Sequence, residues 1–337
     1  MNQRNIKVSV IMACHNSSVY LDEAVSSVLG QTFGDLELIL IDDCSTDNTL
    51  EIAKRYQKQD DRVLVLSLSV NSGPATARNA GIRSARGEWL GILDSDDVAM
   101  PTRFEEQMRL TDCDKGLVMI GSSSISMDAK GHEIKDHKYP TRHSELGKRL
   151  ETMRAFPPHS SLVYRKDDVE RLSAFNSRYD QCEDYDLWLR LSEVGKVTSI
   201  NKPLVKIRKH EQNISNSEGG MQQIHFGFAA SVCHFLRIHG VADPSTTSNE
   251  AVWLEFLTWI KMKLIEEDVF GRNKSRVVAR TEYFAMENRL AGALRFGFHL
   301  LRTGHASALM WEKFFGSSLP VRLAREWARR ANISHHL

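Results

Sequence analysis

An α/β fold, a doubly wound and mostly parallel sheet followed by an α-helical C-terminal region, is predicted by three features of this 337-residue sequence. Up to about Thr111, short apolar runs alternate with amphipathic stretches, the pattern of strands and covering helices joined by short connections. Two of the runs end abruptly in acidic clusters, and ligands of such sheets bind at the carboxyl ends of the strands. Beyond about Ser215 the periodicity is almost wholly helical.

The elements follow in order. Lys7 to Ala13 is a β-rich apolar run suited to a central parallel strand. After Asn16-Ser17-Ser18 come Leu21, Ala24, Val25, Val28 and Leu29, one apolar stripe on a helix. Leu36 to Ile41 is a second buried strand, followed by Asp42-Asp43-Cys44-Ser45-Thr46-Asp47. A helix over Thr49 to Lys58 leads to a third strand at Val63 to Leu68. Asn71-Ser72-Gly73-Pro74 opens a helix that carries Arg78, and the fourth strand, Trp89 to Leu93, runs into Asp94-Ser95-Asp96-Asp97. Further on, Leu117 to Ile120, Ser160 to Arg165, Val197 to Ile200 and Leu204 to Arg208 read as strands. Asp128 to Gly131 reads as a turn. Glu183-Asp184 open a helix whose Leu187, Trp188, Leu191 and Val194 form its buried side. The last part reads as helices at Met221 to His239, Glu250 to Val269, Arg276 to Arg289 and Ala291 to Arg302.

Composition narrows the function classes. A net charge of +1 gives no support to a nucleic-acid binder that relies on bulk charge. Five cysteines, with no CxxC pair and no metal spacing, point to a reducing cytoplasm. The first apolar run is too short for the core of a signal peptide, and no stretch reaches the length of a spanning helix. The expectation is a soluble protein, or one that at most lies on a membrane.

Three carboxylates at one strand end repel one another unless a cation sits between them, and a hard ion such as Mg²⁺ or Mn²⁺ with a phosphate would serve. A solvated turn capping the helix near Thr102 explains the cluster equally well when it is taken alone. The two acidic clusters follow different strands of one sheet, so they would face one crevice. One could then read a nucleoside while the other holds a metal on a diphosphate.

The ordered motifs resemble those of family 2 glycosyltransferases. Val8 to Met12 with Asn16, Asp42 to Asp47, Asn71…Gly73…Ala77-Arg78-Asn79…Gly81, and Leu93 to Asp97 carry the likeness. Glu183 to Trp188 and Arg208-Lys209-His210…Asn213-Ile214-Ser215 continue it. The resemblance covers about residues 7–215 and implies a GT-A domain at 1–215, and the helical periodicity beyond it marks a helical region at 216–337. It implies an inverting transfer of a sugar from a nucleotide-diphospho-sugar to an acceptor hydroxyl, in synthesis of a surface polysaccharide, lipopolysaccharide or glycoconjugate. On this resemblance Asp43 would accept from the base and Asp94 would sit near the ribose. Asp96, last of the Asp-x-Asp motif, would hold Mn²⁺ or Mg²⁺, and His210 would approach the same metal. Asp184 would be the general base, and Arg78 would support the nucleotide pocket. His15 could stack on the base, standing where the family has an aromatic. His159 sits where the family often has a histidine. Cys44 replaces the usual glycine and is strained if its φ is positive.

Each of these residues has a plainer explanation. Asp184 could be an N-terminal helix charge, His210 and Arg78 solvated side chains, and Trp188 core. A sugar-phosphate nucleotidyltransferase would also use such a sheet and a metal, but would need a glycine-rich loop where Cys14-His15-Asn16-Ser17 stand. A phospho-receiver would carry its acids after other strands, and a non-catalytic sugar-binding module would have lost a metal or base acid. The tail, Leu319 to Ala331, places Leu323, Trp327 and Ala331 at helical spacing with Arg322, Arg325, Arg329 and Arg330 mostly off the stripe. Such a helix can lie in a headgroup layer, giving peripheral contact with a membrane and a lipid-linked glycan acceptor, or it can pack on the preceding helices.

Overall fold

The computed structural model describes residues 6–179, 181–210, 221–267, 269 and 318–330. The chain falls into two compact units. The first takes in Met1–Leu150, Arg154–Tyr179 and Glu183–Glu211, and the second Glu151–Met153, Asp180–Cys182 and Gln212–Leu337.

The first unit opens with β1 (Val8–Cys14), α1 (Leu21–Leu29), β2 (Leu36–Asp42), α2 (Thr49–Gln59), β3 (Val63–Ser67), α3 (Gly73–Ser84) and β4 (Trp89–Ile92). Strands β5 (Val98–Ala99), β6 (Leu117–Met127) and β7 (Glu133–His137) follow, with α4 (Arg103–Cys113) between β5 and β6. Then come α5 (His143–Glu151), β8 (Val163–Arg165), α6 (Lys166–Arg171), α7 (Glu183–Val194) and β9 (Lys196–Arg208). The sheet order is β3-β2-β1-β4-β8-β6-β9-β5, with β7 paired to β6. β3, β2, β1 and β4 are parallel neighbours. The remaining pairs are antiparallel except β6 with β9.

The apolar runs read as central strands are buried on both faces. Val8, Val10, Met12, Leu36, Leu38 and Leu40 pack with Leu21, Ala24, Val25 and Val28 of α1. On the other face α3 lies so close that a Cβ on Gly81 would come within 2.7 Å of Ile41 and 3.0 Å of Ile11. That close approach is what carries Arg78, one turn earlier on α3, to the strand ends.

Several readings change in detail; the strand read at Leu117 to Ile120 runs on to Met127 as β6. Residues read as two strands, 197–200 and 204–208, are one strand, β9, whose register against β6 slips between Ile200 and Pro203. Proline has no N–H to give the ladder, and the bulge absorbs it without ending the strand. The strand read from Ser160 begins as a 3-10 turn, His159–Ser161, and becomes β8 only at Val163.

The second unit contains α8 (Met221–Ile238), α9 (Glu250–Glu266) and α10 (Ser318–Arg330). The helices read at 276–289 and 291–302 lie outside the described residues. On α10 the stripe read as a membrane face is a packing face: Leu323 and Trp327 are buried, as is Leu319 one turn before, and Ala331 lies outside the described residues. The Trp327 ring stands 4.9 Å from Phe256 and 5.2 Å from Trp259 of α9. Its charges pair outward, Arg322 with Glu267, Arg330 with Glu255, and Glu326 with Lys263. Any lipid contact of this helix would have to come from the arginine side. Among the described residues no helix is long and apolar enough to cross a membrane.

Candidate active site

The chain leaves β1, β2 and β4 at the same end of the sheet, and the loop after β1 ties the other two together. Asn16 donates its N–H to Ser45 Oγ at 3.1 Å and accepts from Thr46 N at 2.8 Å. Ser17 N donates to Thr49 Oγ1, and the Ser17 and Ser95 hydroxyls are 2.7 Å apart. Holding this geometry puts Asn16 at φ 50° and Cys44 at φ 57°. Asparagine tolerates the left-handed region, whereas a cysteine there meets its own carbonyl. The strain expected for Cys44 is therefore present, and Cys44→Gly is expected to raise stability by roughly 0.5–1 kcal/mol in denaturant unfolding.

Asp43 closes the N-terminus of α3, its two carboxylate oxygens accepting from Ser72 N and Gly73 N at 2.8 Å each. Each oxygen keeps a second lone pair. His15 Nδ1 lies 2.9 Å from the Asp43 carbonyl, and its Nε2 lies 3.2 Å from the side-chain amide of Asn71. A ring that donates from Nδ1 and accepts at Nε2 satisfies both contacts, which fixes the imidazole beside the Asp43 loop.

Arg78 is the bridge of the site. Its guanidinium donates to Glu183 at 2.6 Å and to Asp94 at 3.0 Å, so it joins the β4 loop to the start of α7. Burial opposes its charge, but Asp94, Glu183 and Asp184 outweigh that and raise its pKa. Burial would likewise push Asp94 up, yet Arg78 and the hydroxyl of Ser160, 3.0 Å away, hold it below the usual carboxylate range. Removing Arg78 leaves buried Glu183, and more exposed and better screened Asp94, without their counter-charge, so Arg78→Ala is expected to cost about 2 kcal/mol in denaturant unfolding.

Asp96 faces His210, with Oδ2 and Nε2 2.9 Å apart, and Tyr20 stacks on that imidazole at 5.2 Å. Burial and the neighbouring Asp94 push the Asp96 carboxyl up, and His210 pulls it down. Asp97 is turned inward to accept from Arg208 N at 2.8 Å, while Arg208 Nε donates to the Asp96 carbonyl. Arg208 also stacks over Tyr20 and pairs with Glu23. The end of β9 is thereby clamped onto the acidic loop.

Asp184 stands in the first turn of α7, 30% exposed, and its Oδ1 accepts from Tyr185 N at 2.6 Å. By itself a place in the first turn of a helix favours the ionised form of a carboxylate. Here burial, then the adjacent Glu183, push the other way and raise its pKa to about 7, and Arg78 and the backbone hydrogen bond only partly offset them. Such a group can accept a proton near neutrality, which an ordinary exposed carboxylate does poorly.

Of the residues singled out in the sequence, Arg78, Asp94, Asp96, Asp184 and His210 share one chain of contacts, while His15 and Asp43 form a neighbouring cluster. Glu183 and Arg208, which stand in the quoted motifs without a role assigned to them, and Ser160 and Tyr20, which carried no such signal, hold the first group in place. Among the described residues no group of three or more His, Cys, Asp or Glu side chains converges as a metal cage. Asp96 and His210 offer one oxygen and one nitrogen donor side by side, a pair that fits a cation taking its remaining ligands from a diphosphate.

The family model for glycosyl transferase family 2 matches residues 9–173. The chain is 32% identical over 216 residues to the O-antigen biosynthesis glycosyltransferase WbnJ of Escherichia coli, covering 62% of this chain and 82% of that one. It is 32% identical over 217 residues to the hyaluronan synthase of Pasteurella multocida, covering 64% of this chain and 22% of that one. In three dimensions it is similar to S. aureus TarS 1–349 in complex with UDP-GlcNAc, with a TM-score of 0.58 and 18% identity over 97% of this chain and 92% of that one. At that identity the likeness speaks for the fold, a GT-A-type sheet with helices. The sequence likeness spans the strands and loops that carry Asp43, Asp94 and Asp96, and on it the chain belongs to glycosyl transferase family 2.

Proposed function

We propose that this protein is a metal-dependent, inverting glycosyltransferase that moves a sugar from a nucleotide-diphospho-sugar to an acceptor hydroxyl of a glycan or lipid-linked glycan, at the cytoplasmic side of surface polysaccharide synthesis. The observation that carries the reading is the Arg78 bridge, which joins Glu183, the neighbour of Asp184 in the chain, to Asp94 of the acidic loop. On this reading residues 1–215 are the transferase domain and 216–337 a helical region.

In the proposed reaction the acceptor oxygen attacks the anomeric carbon, its proton passes to Asp184, and the bond to the diphosphate breaks with its electron pair leaving on the phosphate oxygen. One carboxylate base without a second nucleophile supports a single displacement, hence inversion. A Mn²⁺ or Mg²⁺ ion held by Asp96 and His210 would supply charge stabilisation for the leaving diphosphate. Arg78 keeps Asp94 ionised beside the donor, and His15, Asp43 and Asp94 are the proposed contacts for the nucleoside. The named functions of WbnJ, O-antigen biosynthesis, and of the hyaluronan synthase support a polysaccharide product class.

A panel of UDP-, GDP- and dTDP-sugars tests this, with Mn²⁺, with Mg²⁺ and with chelator. Release of nucleoside diphosphate from one donor, only with a divalent ion, is the expected outcome. Release of inorganic pyrophosphate from a nucleoside triphosphate and a sugar phosphate would point instead to a nucleotidyltransferase, and no turnover of any donor to a binding module.

A further inference from the structure

The turn that precedes β8 carries a histidine whose placement is costly unless it has a task. His159 is only 8% exposed, and neither ring nitrogen has a hydrogen-bond partner among the described residues. A buried donor left unpaired costs on the order of 1–3 kcal/mol. Its ring is walled by Phe175 at 5.7 Å, Trp188 at 6.0 Å and Tyr164 at 6.4 Å. A carboxylate oxygen stands close to it: Oδ2 of Asp184, 3.8 Å from Nδ1. The other carboxylate oxygen is already held by Tyr185 N, so Oδ2 is the oxygen left to be oriented.

We propose that His159 is a positioning residue for Asp184, its Nδ1–H directed at Oδ2 and closing to a hydrogen bond when the carboxylate is ionised. The closure needs a movement of about 1 Å, which the soft terminal torsion of an aspartate supplies. The inference rests on Asp184 as the proposed base and adds what aims it and what favours its charged form. The histidine acts as a neutral donor, because burial, and then Arg78, lower its pKa to about 3. The charged or titratable groups around the pair are Arg78 of α3, Asp94 after β4, Arg103 of α4, Tyr164 of β8 and Glu183 of α7. None of them donates to Oδ2 in the described contacts. In the Nδ1–H tautomer Nε2 carries no proton, so only an acceptor site stays unpaired.

Carbon-13 NMR titration of the aspartate carboxyls, with Asp184→Asn assigning the signal, reads the contact without any substrate. His159→Asn places an amide N–H near the Nδ1 position, whereas His159→Gln places it near Nε2 and His159→Phe has none. The Asp184 pKa is expected to rise by about one unit in the Phe and Gln variants and to stay near the wild-type value in the Asn variant. Equal values in wild type and all three would overturn the proposal, as would a uniform shift that Asn does not rescue. If the Phe variant does not fold, the Asn–Gln pair decides, and nitrogen-15 spectra of wild-type His159 give a second reading: Nδ1–H is expected, and Nε2–H overturns it. Loss of the base assignment is seen separately, as unchanged turnover in Asp184→Asn.

Discussion

Asp184→Asn is expected to lower turnover by about 10³-fold while leaving donor and metal binding nearly unchanged, since an amide keeps the shape and loses the proton acceptor. The pH dependence follows from the raised carboxyl. The ionised form is the active one, so the wild-type rate should climb with pH and level off above about 7. The stability linkage runs the other way. A carboxyl whose folded pKa lies above its unfolded value contributes stability that is complete below the unfolded value, 3.8, and is lost as pH rises through about 7. The asparagine variant should therefore gain on wild type between those limits and be more stable at pH 8, by about 1–2 kcal/mol once partial exposure is discounted. Thermal unfolding at pH 5 and pH 8 reads this directly. A variant that turns over normally, or that fails to bind donor, would remove Asp184 as the base.

Asp96→Ala is expected to abolish most activity, a loss of at least about 10²-fold, because the leaving diphosphate loses the cation that would take up its charge. Excess chelator should bring wild type to the same low rate. His210→Ala should act more mildly, since the carboxylate remains to hold the ion. Full turnover in chelator would contradict both expectations.

The strands that build the site were legible because buried parallel strands carry continuous apolar runs, and β1, β2 and β4 are such runs ending in polar clusters. The acids were legible because three carboxylates at one strand end are electrostatically expensive without a purpose. What holds them was not. Arg78 reads as a solvated helix residue until Gly81 lets α3 settle on Ile11 and Ile41, which buries the guanidinium between Asp94 and Glu183. The raised carboxyl of Asp184 was not legible for a related reason. The helix terminus is a local feature visible in sequence, whereas the burial that outweighs it comes from elements distant in the chain. In α10 the stripe at helical spacing was seen correctly, but spacing alone cannot say whether its partner is lipid or, as here, Phe256 and Trp259.

Calorimetric binding of UDP and GDP, in Mn²⁺ and in chelator, to wild type, Asp96→Ala and Asp184→Asn tests most directly whether the Asp94–Asp96 loop and Asp184 divide the work as proposed. One nucleotide should bind wild type and Asp184→Asn alike in Mn²⁺, and bind Asp96→Ala at least about 30-fold more weakly, roughly 2 kcal/mol. Chelator should weaken wild type to the level of Asp96→Ala. Equal affinity of wild type and Asp96→Ala, with and without Mn²⁺, would contradict a metal-bridged diphosphate at this site.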